Sequence, residues 1–266
     1  MRVIVTRPAR DANKWVVALS DAGHEAVALP LVEVVAPPDP QNVQAAWHRL
    51  VKFDAAMFVS GNAVEHFFAS NSAVAPVFCT RSAIKTRALA TGPGTVAALL
   101  RVGAEVAWID APGQDSPQFD SEALWAVMGT HVCPGYKVLV VRGLGAAAPE
   151  SFATEGHGRD WFASQVLAAG GSVDYVVAYR RVAARLRGTA LDLAQQAASD
   201  GSVWMFSSSE AIGNLVISCP GQDWNLAKSV VTHPRIGDTA RKVGFGMVMA
   251  SRPNLTSLLA SIESLQ

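Results

Sequence analysis

The apolar residues of this chain come in short β-type runs that alternate with stretches of helical period. Arg2 to Thr6 reads as a strand, Asp11 to Ala22 as a helix and Ala26 to Val35 as extended again. Further strands are expected at Ala55 to Ser60, Arg87 to Thr91, Glu105 to Ile109, Lys137 to Arg142, Val173 to Arg180, Val203 to Ser207, Val230 to Ile236 and Met247 to Ala250. Helices such as Ala63 to Ala69, Thr95 to Arg101, Trp161 to Ala168, Leu191 to Ala198 and Leu255 to Ile262 fall between them. That rhythm predicts parallel sheets.

The pattern also repeats. Val3-Ile4-Val5-Thr6-Arg7 answers to Val138-Leu139-Val140-Val141-Arg142, and Phe58-Val59-Ser60-Gly61-Asn62-Ala63-Val64 to Phe206-Ser207-Ser208-Ser209-Glu210-Ala211-Ile212. Gly92-Pro93-Gly94-Thr95 answers to Gly237-Asp238-Thr239 in the same order, which predicts two similar lobes. Ala26 to Val35 and Val173 to Ala183 are longer than an ordinary strand of roughly five or six residues. They read as two antiparallel connectors, with Pro37, Pro38 and Pro40 marking the first crossing. The division expected is a discontinuous first lobe, residues 1–35 and 181–266, and an inserted second lobe, residues 36–180, with the active site in the cleft between them. Two lobes in simple succession are the other arrangement the pattern allows.

Composition narrows the function. Of 266 residues, 50% are apolar and 17% charged, and 22 basic residues balance 22 acidic ones. Such a chain has no global field for nucleic acid or a membrane surface, so an anionic ligand must be held locally. Cys79, Cys133 and Cys219 are scattered and the histidines are not clustered, so neither a disulfide framework nor a metal site is expected. No run has the length of a membrane span or a signal-peptide core, which makes the cytoplasm the expected location.

In open parallel sheets, ligands lie beyond the carboxyl ends of the strands, where helix N-termini offer N–H groups to anions. Thr6-Arg7, Ser60-Gly61-Asn62, Gly92-Pro93-Gly94-Thr95, Arg142-Gly143, Ser207-Ser208 and Gly237-Asp238-Thr239 are all expected at such turns. The hydroxyl and amide residues read equally as helix caps, each contributing about 1 kcal/mol. Arg7 and Arg142 read as ligand contacts or as members of exposed ion pairs, which contribute only about 0 to 1 kcal/mol. Gly92-x-Gly94-x-x-Ala97, with Asp110 about twenty residues on, has the spacing of a dinucleotide fingerprint. Pro93, however, removes an N–H from the turn that would cradle pyrophosphate. Tyr179, inside the extended Tyr175 to Arg180, would be a neutral donor at pH 7 or a packing residue.

Taken together, Thr6-Arg7-Pro8, Leu29-Pro30-Leu31, Phe58-x-Ser60-x-Asn62-Ala63-Val64, Gly92-Pro93-x-Thr95, Val141-Arg142-Gly143, Ala178-Tyr179-Arg180-Arg181, Phe206-x-Ser208 and Ile236-Gly237-x-Thr239 resemble the uroporphyrinogen-III synthase family across nearly the whole chain. The resemblance implies an α/β fold of two similar flavodoxin-like parallel-sheet lobes, joined by a two-stranded antiparallel linker. It implies a lyase that cyclises hydroxymethylbilane with inversion of ring D, through a spiro intermediate, to uroporphyrinogen III and water. It implies that no cofactor or metal is needed. The balanced charge leads us to expect no nucleic-acid or membrane partner, and a monomer is expected.

By the same matching, Tyr179 is the implied catalytic donor. Thr6, Arg7, Ser60, Asn62, Ala63, Thr95, Arg142, Gly143, Ser207, Ser208 and Thr239 are the implied substrate contacts. Two features depart from the family pattern. Asp238 places a negative charge beside Thr239, and Leu144 to His157 reads as an inserted loop. A bilobed anion-binding protein without activity and an NAD-dependent enzyme using Gly92 to Ala97 are the alternatives.

Overall fold

The computed structural model describes residues 1–70, 77–80, 84–145 and 161–265. The chain forms two compact units, Met1–Glu33 with Val182–Gln266, and Val34–Arg181.

The first unit carries a sheet in the order β11-β10-β9-β1-β2, formed by β1 (Arg2–Val5), β2 (Glu25–Ala28), β9 (Val203–Phe206), β10 (Lys228–Val231) and β11 (Met247–Ala250). Every pairing is parallel, with Val3 opposite both Ala26 and Val203. Alternate residues enter separate cores on the two faces. Ile4, Trp204, Phe206 and Val231 join one, and Val3, Val5, Val203, Met205 and Val230 the other. Helices α1 (Ala9–Asp21), α7 (Thr189–Gln196), α8 (Ser209–Ser218), α9 (Pro234–Val243) and α10 (Leu255–Glu263) complete this unit. Helix α9 has Pro234 in its first turn, Arg241 and Lys242 in its last, and Gly244 beyond it at φ 104°. Each choice suits its helix end.

The second unit carries a sheet in the order β3-β8-β7-β4-β5-β6, from β3 (Val32–Val35), β4 (Ala55–Phe58), β5 (Arg87–Ala90), β6 (Ile109–Asp110), β7 (Lys137–Leu144) and β8 (Ser172–Ala183). Its described helices are α2 (Pro40–His48), α3 (Gly61–Ala69), α4 (Pro93–Arg101), α5 (Ser121–Met128) and α6 (Trp161–Ala168). The run β8-β7-β4-β5-β6 has the same relative order as β2-β1-β9-β10-β11. Each is the flavodoxin-like order once the second unit's strands are counted from β7.

Several sequence expectations are corrected. Ala26 to Val35 is not one strand: β2 and β3 belong to different sheets. Between them, Leu29 and Leu31 donate to Val5 and Thr6, while Pro30 has no N–H to continue a ladder. Glu105 to Ile109 is mostly a 3-10 turn, with strand only at Ile109–Asp110, because Glu105 is tied by its N–H to Phe78 and by its carboxylate to Thr80. The strand expected to reach Ile236 ends at Val231, since the His233 ring accepts from the Arg235 N–H and starts α9. Arg142-Gly143 is no strand-to-helix turn but lies within β7, at a register shift. Helices α2 and α5, capped by Asp39 and Asp120, were not anticipated. From residue 146 on, the expected inserted loop lies outside the described residues.

Trp204 anchors the first unit. It is fully buried, its ring stacks at 5.8 Å on Phe206 with Trp224 and Phe245 at its edges, and its Nε1 donates to the Ala197 carbonyl at 2.9 Å. Trp204→Ala is expected to cost about 3 to 5 kcal/mol of unfolding free energy. Trp204→Phe should cost about 1 to 3 kcal/mol, mainly by stranding that carbonyl. Urea unfolding of the two variants measures both.

Candidate active site

The carboxyl ends of the second unit's strands bring Ser60, Gly143 and Tyr179 together. Ser60 follows β4 and caps α3, accepting the Ala63 N–H at 3.2 Å, and its Oγ lies 3.1 Å from the Tyr179 hydroxyl. Tyr179 lies on β8, paired with Gly143 of β7. Its ring covers Gly143 so closely that a Cβ there would collide with the ring carbons. Only glycine permits that approach.

The register explains which way Tyr179 points. Arg142 pairs with Val177 and Gly143 with Tyr179, so β8 carries one extra residue, Ala178, at this step. A bulge of this kind re-aims the side chains that follow it. Val176, Ala178 and Tyr179 accordingly all enter the same core, whereas Tyr175 packs on the opposite one. Arg181, two residues beyond Tyr179, donates from Nη1 to its hydroxyl at 3.5 Å, and the His66 ring lies 5.8 Å from the phenol. Neither Arg181, quoted only within a family motif, nor His66 is among the site residues expected from the sequence, although spacing by two along a strand places Arg181 beside Tyr179.

The remaining nominated residues divide into those near strand ends and helix starts and those tied into internal structure. Arg7 is half-buried, with its guanidinium 5.1 Å from the Trp15 ring and its Nε buried without a hydrogen-bond partner among the described residues. Burial pushes this guanidinium below its ordinary value, and the nearby Asp11 carboxylate only partly offsets that. Arg142, in the equivalent place of the other unit, is buried and stacked at 3.9 Å on Tyr175. Ser208 caps α8 by accepting the Glu210 N–H, with half-buried Ser207 before it. Asn62 lies in the first turn of α3, and Thr95 is buried in the first turn of α4.

Two expected contacts face inward instead. The Thr6 hydroxyl is buried and donates to the Met205 carbonyl at 2.8 Å, tying β1 to β9. Ala63 is fully buried, and its N–H is held by Ser60. Gly237 to Thr239 lie past the first turn of α9 rather than at its start. Thr239 donates from Oγ1 to the Arg235 carbonyl and lies 3.1 Å from the Ser209 hydroxyl. Asp238 is exposed and pairs with Arg241 at 3.2 Å, so it is not a cap.

The dinucleotide pattern fits poorly. Both carboxylate oxygens of Asp110 are held by Arg87, at 2.6 and 2.8 Å, leaving it poorly placed for a ribose. A Cβ at Gly92 would press on Phe119 at 3.0 Å, so packing accounts for that glycine. Among the described residues, no group of three His, Cys, Asp or Glu could hold a metal, and no helix is long and apolar enough to cross a membrane. A cavity of about 630 Å³ opens at the other, amino ends of β4, β5 and β7, lined by Lys52, Asp54, Lys85, Arg87 and Tyr136 among others. None of the nominated residues lines it.

A model of the family described as uroporphyrinogen-III synthase HemD matches residues 13–260. The chain belongs to the uroporphyrinogen-III synthase family. The crystal structure of a mutant uroporphyrinogen III synthase from the extremely thermophilic bacterium Thermus thermophilus is similar with a TM-score of 0.56 at 15% identity, covering 100% of this chain and 98% of that one. That of uroporphyrinogen-III synthetase from Helicobacter pylori is similar with a TM-score of 0.53 at 15% identity, covering 100% of both chains. At such identity the likeness is one of fold. The comparison with curated proteins returned no match.

Two measurements probe this geometry. Gly143→Ala should destabilise the protein by about 1 to 3 kcal/mol through overpacking. In a Tyr179→Ala background, where the ring is absent, the added methyl should cost less than half as much. A full cost in both backgrounds would mean that the ring does not rest on Gly143. Separately, burial and the carboxylates of Asp54 and Asp110 push the Tyr136 phenol up to about 12 from 10.0. Its stabilising contribution is complete below pH 10 and is lost as pH rises towards about 12. Tyr136→Phe should therefore flatten the fall of unfolding free energy across that window, measured by urea titrations at a series of pH values.

Proposed function

We propose that this protein is a uroporphyrinogen-III synthase that converts hydroxymethylbilane into uroporphyrinogen III and water without a cofactor. The observation that carries the reading is the Tyr179 hydroxyl, held by Ser60 at the strand ends of a chain that belongs to this family. In the reaction, the hydroxymethyl oxygen leaves as water and an electrophilic azafulvene remains. The substituted carbon of ring D attacks it, and the spiro intermediate reopens and recloses with that ring inverted. Tyr179 is the donor that protonates the departing oxygen. Orientation of the bound chain favours the spiro route over direct closure.

The substrate is a polycarboxylate and the protein carries no net charge, so its anions must be met by local groups. Arg7 suits that role. Its half-buried guanidinium is disfavoured by desolvation, and an arriving carboxylate would offset that cost. Arg142 belongs with it as a weaker contact, because its guanidinium already rests on Tyr175. We place Asn62, Thr95 and Ser208 at the substrate through their positions near helix starts, and Thr239 through its hydroxyl beside Ser209 at the start of α8. The chain is read as a cytoplasmic monomer.

Incubation with hydroxymethylbilane, followed by separation of the porphyrinogen isomers, should yield the type III isomer without added metal or nucleotide. Only spontaneous type I product would reduce the protein to an anion binder. Tyr179→Phe should slow turnover from tenfold to somewhat over a hundredfold, corresponding to about 1.5 to 3 kcal/mol for a hydrogen bond to a developing charge. The product should shift towards type I. Arg7→Met should raise KM several-fold while leaving unfolding free energy unchanged or higher, since an apolar group replaces a cation whose charge burial already disfavours.

A further inference from the structure

The Tyr179 hydroxyl is bracketed by two groups whose hydrogen-bonding capacity fixes where its proton can go. Arg181 donates from Nη1 to the phenolic oxygen at 3.5 Å. A guanidinium has no acceptor, so the phenol cannot direct its proton there. Ser60 lies on another side, 3.1 Å away, with one lone pair already taken by the Ala63 N–H at 3.2 Å. Its hydroxyl retains one proton and one lone pair, and can accept from the phenol or donate to it. The cap keeps the Ser60 oxygen in place at the N-terminus of α3, whose partial positive charge favours proton donation outward from Ser60. The Tyr179 ring is confined against the Gly143 backbone, with the His66 ring nearby.

We propose that Ser60 and Arg181 are positioning residues that act through Tyr179, turning its proton outward and holding the phenolate that remains after the proton is given up. This rests on the reading of Tyr179 as the donor. In the step, the Tyr179 O–H bond breaks and its proton passes to the hydroxymethyl oxygen, which leaves as water as its carbon–oxygen bond breaks. The Ser60 hydroxyl, already donating to the phenolic oxygen, keeps that bond to the phenolate, which then accepts one neutral and one charged hydrogen bond. The proton released when the macrocycle closes restores the phenol. Ser60 thus serves as cap and donor at once, and its partner Arg181 lies on the same strand face as Tyr179.

Steady-state kinetics of Ser60→Ala and Arg181→Met, each made in the parent and in a Tyr179→Phe background, test the proposal. In the parent, each substitution should lower kcat on the order of tenfold with KM changed less than twofold, and raise the type I fraction. In the Tyr179→Phe background, each should change kcat less than twofold. Ser60→Thr, which keeps a capping hydroxyl, should recover most of the parent rate, as a purely steric role would not allow. If both losses multiply in full onto Tyr179→Phe, the positioning role is overturned while the Tyr179 reading stands. If Tyr179→Phe itself matches the parent in rate and isomer ratio, the donor reading falls and this proposal with it. Should Ser60→Ala not fold, Arg181→Met at its half-buried strand position decides the matter by the same comparison.

Discussion

The one-residue bulge of β8 opposite Arg142 and Gly143 is the constraint on which the candidate site depends. A regular strand would send Tyr179 to the face that receives Tyr175, four residues earlier. The extra residue turns Tyr179 towards α3 instead, and with it Arg181. Bulges next to active sites commonly re-aim a side chain in this way. Here the re-aimed ring needs room, which Gly143 provides by having no side chain. Ser60 then meets the hydroxyl because β4 is paired with β7 along its length and ends beside the bulge.

The two units share strand order and repeat part of their chemistry, and the differences are informative. Arg7 lies just beyond β1 and Arg142 near the end of the equivalent β7, and each places its guanidinium near an aromatic ring, Trp15 in one unit and Tyr175 in the other. Ser60 and Ser208 both cap the helix that follows an equivalent strand. The residue after the arginine differs, however. Pro8 in the first unit precedes α1, whereas Gly143 in the second continues β7 under the tyrosine ring. One unit therefore pairs its capping serine with a phenol, while the other sets its arginine against Trp15.

Charge is managed locally throughout. Asp110, the acidic residue of the apparent nucleotide pattern, is neutralised by bidentate contact with Arg87. Asp238 pairs with Arg241 one helical turn away. Arg7 is the exception, because burial disfavours its charge and the nearby Asp11 carboxylate only partly offsets that.

The sequence alone determined the elements whose cause is local. Alternating apolar runs marked β1, β4, β5, β7, β9 and β11 nearly to the residue, because burial on both faces imposes a continuous apolar run on a parallel strand. The repeated serine motifs correctly implied helix caps, since capping needs only the hydroxyl and the next turn of backbone. Tertiary structure decided what depends on distant partners. Sheet choice split Ala26 to Val35 into two strands, and long-range bonds bent Glu105 to Ile109 out of the ladder. Thr6 turned inward because β9, nearly two hundred residues away, offers the Met205 carbonyl. Above all, period-two alternation from Tyr175 predicts the wrong face for Tyr179. A bulge is a relation between two strands, so the pairing of β7 with β8 had to be known before the tyrosine, Gly143, Ser60 and Arg181 could be seen as one constellation.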